Sequence, residues 1–260
     1  MQSMTLTPRQ KKVLDYISTR TSCTIDELCT ALHISPSTAR RAFSALDAEG
    51  LIQRYRGGAA CLAPNAPEPP VVCRSRDMLP EKAALARKAA SFIHDGDVVL
   101  LTAGSTIYQI CRYLGAFRGL TVLTDSLLVL QTLSKNANIQ LIMLGGVINT
   151  DEQCATGFLT LDHLAHFNID IMFTSAKALS IQHGLLTDDL QHMAQYRAFM
   201  QHSGLLVALM DHTKLYQTGK AVLYNYSEIG CLLLDDAVPS TAADALREQA
   251  APIVYCSLDR

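Results

Sequence analysis

The stretch ISPSTARRAFSALDAEGLIQRYRGGA, residues 34–59, indicates how the first part of the chain folds. Ser35, followed by a proline, is a typical helix start, and Gly50 is a typical helix end. The apolar residues between them share one side of that helix: Ala39, Phe43 and Leu46. After Gly50, apolar and polar residues alternate around a pair of glycines, which is typical of a β-hairpin. The stretch therefore predicts a helix followed by a hairpin wing.

Two further helices are predicted upstream. Thr7 with Gln10, and Thr24 with Glu27, have the spacing of capping boxes that open a helix. A short helix, a tight turn and a second helix with small polar residues and two arginines on its outer side are typical of a DNA-reading helix-turn-helix. The alternative is a three-helix packing domain with a solvated charged face. The predicted DNA contacts are Ser35, Ser37, Thr38, Arg40, Arg41, Arg54 and Arg56.

The charge distribution supports a division of the chain into two functions. The 260 residues have a net charge of −2, with 49 % apolar and 18 % charged residues, which excludes a disordered or globally polybasic protein. Residues 1–62 hold eight basic and five acidic residues, a balance of +3, and the remainder has a balance of −5. A basic module on an acidic body suggests an anionic partner for the module. Double-stranded operator DNA is the predicted partner.

A proline-rich segment separates the two parts. APNAPEPPVV, residues 63–72, contains four prolines, which stiffen the backbone. The predicted domains are a winged helix-turn-helix over 1–62, a linker over 63–74 and an effector-sensing α/β domain over 75–260.

Membrane, secretory and metal-binding roles are not predicted. No apolar run approaches the roughly 20 residues of a membrane span, and no secretory signal opens the chain, so we expect a cytoplasmic protein. The eight cysteines form no CxxC pair and are expected to be reduced. His163 and His166 are the nearest candidate metal pair, but they lack a third ligand, so a surface role is favoured.

The body of the chain alternates apolar runs with helical patterns, which predicts a mostly parallel, Rossmann-like sheet covered on both faces. The expected strands are Val98–Leu101, Leu120–Thr124, Gln140–Leu144, Ile169–Phe173, Leu205–Met210 and Gly230–Leu234. Helices are expected around Ile107–Leu114, Leu127–Ser134 and Asp189–Ser203.

Ligands of such sheets bind beyond the carboxyl ends of the strands. Glycines and hydroxyls follow several of the expected strands there, and backbone amides before a helix suit an anion. Each loop alone is better explained as a turn or a cap, but four such loops in one sheet favour a ligand site. The predicted effector contacts are Gly104, Ser105, Thr106, Thr124, Asp125, Ser126, Gly145, Gly146, Asp211 and Lys214.

Residues 34–59 resemble the DNA-binding domain of the DeoR family of bacterial transcriptional regulators. That family has a pattern like VSxxTIRRDLxxL, then a glycine and a wing RxHGGA. The matching positions in this chain are Arg40, Arg41, Gly50, Arg54, Gly57 and Gly58. Ala39, Ala42 and Arg56 differ from the family's isoleucine, aspartate and histidine, so the resemblance implies no particular operator sequence.

The resemblance continues through the body of the chain. Five stretches of this chain are similar to motifs of the family. EKAALARKAA resembles EKxxIAxxAA, TAGST resembles DxGTT, TDSL resembles TNSL, LGG is the same in both, and DHTK resembles DxSK. The resemblance implies a sensor domain with the fold of ribose-phosphate isomerases and CoA-transferases. This sensor domain is expected to bind phosphorylated sugars or related metabolites. The chain departs from the family at Thr102 (usually aspartate), at Lys177 in a GAxG pattern, and at His192 and Tyr196 in EAxxKR.

These features predict a repressor of carbohydrate-metabolism genes, controlled by a phosphorylated metabolite. One alternative is an isomerase-like enzyme that carries a DNA-binding module, and another is a regulator whose pocket binds nothing. Isomerisation needs a carboxylate base with an electrostatic partner. Asp125, Asp188, Asp189 and Asp211 are possible bases, but no paired constellation stands out, so the chain is predicted to be neither an enzyme nor cofactor-dependent. A homodimer or larger homo-oligomer is expected because one helix-turn-helix reads too few base pairs.

Overall fold

The computed structural model describes residues 6–20, 22–48, 51–55, 58–61, 68–75 and 77–258. The chain divides into two compact units, Met1–Asp77 and Met78–Arg260, which we call the reader unit and the sensor unit. The predicted boundaries at 62 and 75 stay predictions. Residues 63–67 of the predicted linker lie outside the described residues, and its last four residues form a short helix.

The reader unit contains four helices and three short strands among its described residues. Their bounds are α1 Pro8–Arg20, β1 Ser22–Thr24, α2 Ile25–Leu32, α3 Pro36–Ala48, β2 Ile52–Tyr55, β3 Gly58–Cys61 and α4 Val71–Arg74. The strands form an antiparallel sheet in the order β1-β3-β2. The hairpin of β2 and β3 is the predicted wing, whereas β1 was not predicted.

Both predicted capping boxes open the helices as expected. The Thr7 N–H donates to Gln10 Oε1 at 2.8 Å, and the Gln10 N–H donates to Thr7 Oγ1 at 3.2 Å. Thr24 and Glu27 form the same reciprocal pair before α2, again at 2.8 and 3.2 Å. The apolar sides of the helices meet in one core, which includes Val13, Ile17, Leu28, Phe43, Leu46 and Ile52.

The sensor unit is built on a seven-stranded parallel sheet in the order β15-β14-β12-β9-β4-β5-β6. Those strands are β4 Val98–Leu101, β5 Thr121–Thr124, β6 Gln140–Met143, β9 Ile169–Thr174, β12 Ser203–Met210, β14 Cys231–Asp235 and β15 Ile253–Cys256. The short antiparallel strands are β7 Val147–Asn149, β8 Cys154–Thr156, β10 Ala178–Ser180, β11 Gly184–Thr187 and β13 Ala221–Tyr224. The helices are α5 Leu79–Ala90, α6 Leu127–Leu133, α7 Phe158–Leu164, α8 Met193–Gln201 and α9 Ser240–Arg247.

Apolar cores cover both faces of the parallel sheet, as its continuous apolar strands predict. Along β4, Val99 and Leu101 belong to one buried cluster and Leu100 to the other. This alternation follows from the two-residue period of a strand. The prediction of a helix-turn-helix followed by a mostly parallel α/β domain is therefore confirmed.

Two expectations about the sensor unit are corrected by the structure, and one feature of it was not predicted. The helix expected around Ile107–Leu114 is a 3-10 helix over Ile107–Ala116. The helix expected from Asp189 begins at Met193, because the Asp189 carboxylate accepts the N–H of His192 at 3.1 Å and holds a turn there. The antiparallel pairs of β7 with β8, and of β11 with β10 and β13, were not predicted. No helix within the described ranges is long and apolar enough to cross a membrane.

Candidate DNA-reading surface and sensor edge

The start of α3 carries the hydroxyls that were predicted to contact DNA. Ser35 Oγ lies 2.9 Å from both Ser37 Oγ and Thr38 Oγ1, and it accepts the N–H of Thr38 at 3.3 Å. This is the geometry of an N-cap. Ser35 and Thr38 therefore stabilise the helix start, and the exposed Ser37 is the hydroxyl on its outer side.

The arginines lie on the solvent side of α3 and on the wing. Arg40 and Arg41 are exposed, because the stripe that includes Phe43 faces the core. Arg54 on β2 donates from Nη1 to Ser44 Oγ at 2.8 Å, so this wing arginine is fixed against α3. The predicted contact Arg56 lies outside the described residues.

The loops after β4, β5 and β6 meet at one side of the parallel sheet, which we call the sensor edge. The N–H of Ala103, after β4, donates to Asp125 Oδ1 at 2.7 Å. The N–H of Leu144, after β6, donates to the carbonyl of Thr124 at 2.8 Å. Adjacent parallel strands end on the same side, so three of the four predicted loops are brought together. The fourth, which holds Asp211 and Lys214, follows β12, and β9 separates that strand from β4.

The TAGST loop is mostly buried at this edge. Ser105 and Thr106 are 4 % and 3 % exposed. Gly104 has φ +155°, at the limit of the region that favours glycine. The 3-10 helix Ile107–Ala116 begins directly after the loop, so backbone amides stand at a helix start there.

Asp125 is completely buried and already engaged. One carboxylate oxygen accepts the N–H of Ala103, and the other accepts Gln195 Nε2 at 3.2 Å. Burial raises the pKa of Asp125 from 3.8 to about 7, and the hydrogen bonds oppose that rise only in part. Ser126 caps α6 by accepting the N–H of Val129 at 3.4 Å.

Gly145 and Gly146 are explained by close packing. The N–H of Gly145 donates to His163 Nδ1 at 3.2 Å, and Thr160 Oγ1 donates to the Gly145 carbonyl at 2.8 Å. A Cβ on Gly146 would collide with the carbonyl oxygen of Thr156. His163 thus has a structural partner, and the described residues contain no group of three or more His, Cys, Asp or Glu side chains suited to a metal ion.

Asp211 acts as a cap at the end of β12. Its Oδ1 accepts the N–H of Thr213 at 3.1 Å and also the Thr213 hydroxyl. The next residue, His212, is held by Asp235, which is completely buried at the end of β14: Nδ1 lies 3.0 Å from Asp235 Oδ1. The sequence analysis did not identify this His–Asp pair, because its members lie on different strands.

Lys177 and Gln195 were also missed as interacting groups. Lys177, which follows β9, is 5 % exposed and forms an ion pair with Asp188. A lysine within an apolar run was a visible signal for it. Gln195, on α8, is 3 % exposed and reaches Asp125, 70 positions earlier, and nothing in the local sequence points to that contact.

These two units correspond to known domains. A family model of the DeoR-like helix-turn-helix domain matches residues 9–65, and one of the DeoR C terminal sensor domain matches residues 78–236. The HTH-type transcriptional repressor GlcR of Bacillus subtilis is 30 % identical over 232 residues, 88 % of each chain. The HTH-type transcriptional regulator GolR of Listeria innocua is 28 % identical over 94 % of this chain and 96 % of its own.

A solved structure also matches part of the chain. It is a D-ribose-5-phosphate isomerase in complex with phospho-erythronic acid, 19 % identical over 52 % of each chain, with a TM-score of 0.38. Nothing about function follows from a likeness of this size.

The reader unit and the sensor unit together define a ligand-responsive transcriptional regulator. The chain belongs to the DeoR family and is a DNA-binding transcriptional repressor. GolR and GlcR, the two relatives named above, are transcriptional regulators.

Proposed function

We propose that this repressor controls carbohydrate-metabolism genes and responds to a phosphorylated sugar, or a related phosphorylated metabolite, at the sensor edge. The observation that carries the proposal is the assembly of three loops there by two hydrogen bonds, from Ala103 to Asp125 and from Leu144 to Thr124. These loops carry glycines, hydroxyls and the Asp125 carboxylate beyond the carboxyl ends of the strands. Ligands of parallel sheets bind at that position.

The phosphate is proposed to lie at the amides of Gly104, Ser105 and Thr106. Gly104 lets the backbone approach an anion closely, and backbone amides at the start of a helix suit an anion. Asp125 is proposed to accept hydrogen bonds from sugar hydroxyls. Asp211 and Lys214 are the proposed contacts from the loop after β12.

The reader unit is proposed to act as one half of a two-fold pair. Arg40 and Arg41 are exposed on α3, and Arg54 flanks that helix from the wing. One such unit contacts a single half-site, so a specific operator needs at least two copies. An effector that binds one arrangement of the oligomer better than another would change operator affinity.

A ligand panel tests the sensor. The full chain is incubated with ribose 5-phosphate, fructose 6-phosphate, glucose 6-phosphate and glycerol 3-phosphate, and each mixture is assayed for thermal shift, turnover and release from an operator fragment. A ligand at 100 times its Kd stabilises the folded state by roughly 2.7 kcal/mol. A shift with operator release and no turnover is expected. Turnover would instead support the isomerase-like enzyme. If no compound of a wider panel causes a thermal shift, a regulator whose pocket binds nothing would be supported.

A matched pair of variants tests the position of the phosphate. Gly104→Val places a bulky side chain in the TAGST loop, and Gly115→Val adds the same side chain where no other atom lies within 4 Å. We expect the first variant to lose the thermal shift and the second to keep it. A wild-type response of Gly104→Val would show that the phosphate binds at another loop.

A further inference from the structure

Gln195 connects three parts of the sensor unit through one buried amide. Its Nε2 donates to Asp125 Oδ2 at 3.2 Å and to the carbonyl of Ala155 at 3.1 Å. Its Oε1 accepts the N–H of Gly157 at 3.2 Å. Both N–H groups and the oxygen are therefore engaged, and rotating the amide would place its oxygen against two other acceptors. The partners leave one orientation for this side chain.

The three partners belong to different elements. Asp125 is at the sensor edge, Ala155 is in β8, and Gly157 precedes the first residue of α7. The backbone joins the same elements, because the N–H of Ala155 donates to the carbonyl of Asp125 at 2.8 Å and that of Leu127 donates to the carbonyl of Gln153 at 2.8 Å. Gln195 adds a link between these elements that involves the Asp125 carboxylate itself.

The elements that Gln195 holds, together with β7 paired to β8, carry four of the six exposed large apolar side chains in the sensor unit's described part, including the two most exposed. Val147 and Ile148 on β7 are 71 % and 45 % exposed, and Phe158 and Leu159 at the start of α7 are 77 % and 44 % exposed. Val147 pairs with Thr156, two positions before Phe158. We call these four residues the apolar patch. A small shift of the β7–β8 hairpin or of α7 would move this patch.

We propose that Gln195 is a positioning residue that transmits the state of the Asp125 carboxylate to the β7–β8 hairpin and the start of α7, and thereby to the apolar patch. The proposal rests on the proposed function in taking Asp125 as an effector contact. Oδ2 accepts from Gln195 at present. A sugar hydroxyl that donates to this oxygen competes with the Gln195 amide, and an amide that loses a buried partner moves toward a new one.

A purely structural role of Gln195 predicts a different response of the hairpin to mutation. If Gln195 only fills space and donates a hydrogen bond to the Ala155 carbonyl of β8, changes at Asp125 and at Gln195 should affect the hairpin independently. If Gln195 transmits the state of Asp125, a change at Asp125 should lose its effect on the hairpin once Gln195 is gone. A double-mutant cycle separates the two cases.

The cycle uses Asp125→Asn, Gln195→Met and the double variant, each in the full chain without any ligand. Methionine has a similar volume to glutamine but makes none of the three hydrogen bonds. Gln201→Met is the matched control, because Gln201 is exposed at the end of the same helix. Hydrogen exchange measured by mass spectrometry compares peptides covering 147–164 with peptides from β4 and β12.

We expect Asp125→Asn and Gln195→Met each to speed exchange in 147–164 by about tenfold, the factor for one lost buried hydrogen bond. The double variant should exchange no more than about twofold faster than Gln195→Met alone, and Gln201→Met should match wild type. Multiplied effects in the double variant, or unchanged exchange in 147–164, would overturn the proposal.

A second pair of variants tests the same coupling if Gln195→Met does not fold. Gln195→Glu removes the donors and sets two carboxyl groups against each other, whereas Gln195→Glu combined with Asp125→Asn restores a donor facing an acceptor. The combined variant should exchange more slowly in 147–164 than Gln195→Glu alone, and equal or faster exchange would contradict the coupling. These exchange measurements use no ligand. A ligand panel without any thermal shift would therefore contradict the proposed function but would not change the outcome of the double-mutant cycle.

Discussion

The reader unit and the sensor edge assemble their functional groups in opposite ways. In the reader unit, the predicted DNA contacts that the structure describes lie within residues 35–54 and most of them are exposed. The side-chain hydrogen bonds between those described residues join positions at most ten apart, as between Arg54 and Ser44. At the sensor edge, the groups are buried and joined over long distances in sequence, as between Asp125 and Gln195. A change at the exposed Arg40 or Arg41 should therefore affect binding alone, whereas a change at the sensor edge should affect stability as well.

The largest expected effect on operator binding is the loss of the α3 arginines. Arg40→Ala and Arg41→Ala should each weaken operator binding by about 1 to 3 kcal/mol, and the double variant should lose more than either, because exposed cations neutralise phosphate or pair with guanine. Fluorescence anisotropy with an operator fragment, repeated over a salt series, measures both the affinity and the salt slope. Folding should be unchanged.

Arg112→Ala is the control for this pair, because Arg112 is an exposed arginine of the sensor unit. It should bind the operator as wild type does. If the variant with both Arg40→Ala and Arg41→Ala keeps full operator affinity, the assignment of α3 as the DNA-reading helix is wrong.

A pH-dependent effect is expected at Asp125. Its pKa is about 7 in the folded protein against 3.8 as the ordinary value, so between these pH values the folded state holds a proton that the unfolded state has lost. The free energy of unfolding should therefore fall as pH rises from about 4 to about 7 and level off above that. The span corresponds to an effect on the order of 4 kcal/mol at about 1.4 kcal/mol per pH unit.

Urea unfolding of wild type and Asp125→Asn across this pH range measures the effect. The difference between the two free energies should change with pH and become constant above pH 7, since asparagine does not titrate. His192 also acts on Asp125 and opposes the shift, so it should be left unchanged in both proteins. Parallel curves would show that Asp125 titrates normally.

A smaller effect is expected from Gly146→Ala. The new methyl group would collide with the carbonyl of Thr156, and overpacking of this kind costs about 1 to 3 kcal/mol. Gly96→Ala is the control, because Gly96 also has a positive φ, +87°, but has no atom within 4 Å of the added Cβ. Thermal unfolding should separate the two. Equal losses would mean that backbone strain, not the contact with β8, explains the glycine.

The smallest effect is expected at the start of α3. Ser35→Ala removes the acceptor for the Thr38 N–H and should destabilise the reader unit by about 1 kcal/mol, whereas Ser35→Asn should retain most of the cap. Operator affinity and reader unfolding are measured on both. If Ser35→Asn binds as weakly as Ser35→Ala while its helix stays stable, Ser35 contacts the operator directly.

Much of the fold was predictable, but less of the site was. The caps at Thr7 and Thr24 and the apolar strands of the parallel sheet could be read from neighbouring residues, because capping and strand burial depend on spacings of two to four positions. The short strands β1, β7, β8, β10, β11 and β13 were missed, because three or four residues of antiparallel strand contain too little pattern. The four-residue parallel strand β15 was missed as well. The 3-10 helix Ile107–Ala116 was expected only as a helix, since its apolar spacing does not distinguish the two helix types.

The sequence by itself determined the two domain types, the helix-turn-helix and the parallel sheet, and the loops that follow its strands. Local hydrogen bonds and the alternation of apolar residues are sufficient for these features. Only the tertiary structure decided that Asp125 is completely buried, that Lys177 pairs with Asp188, and that Gln195 joins the sensor edge to β8 and α7. Such contacts join residues far apart in the chain, and they form only when the sheet and helices have brought those residues within hydrogen-bonding distance.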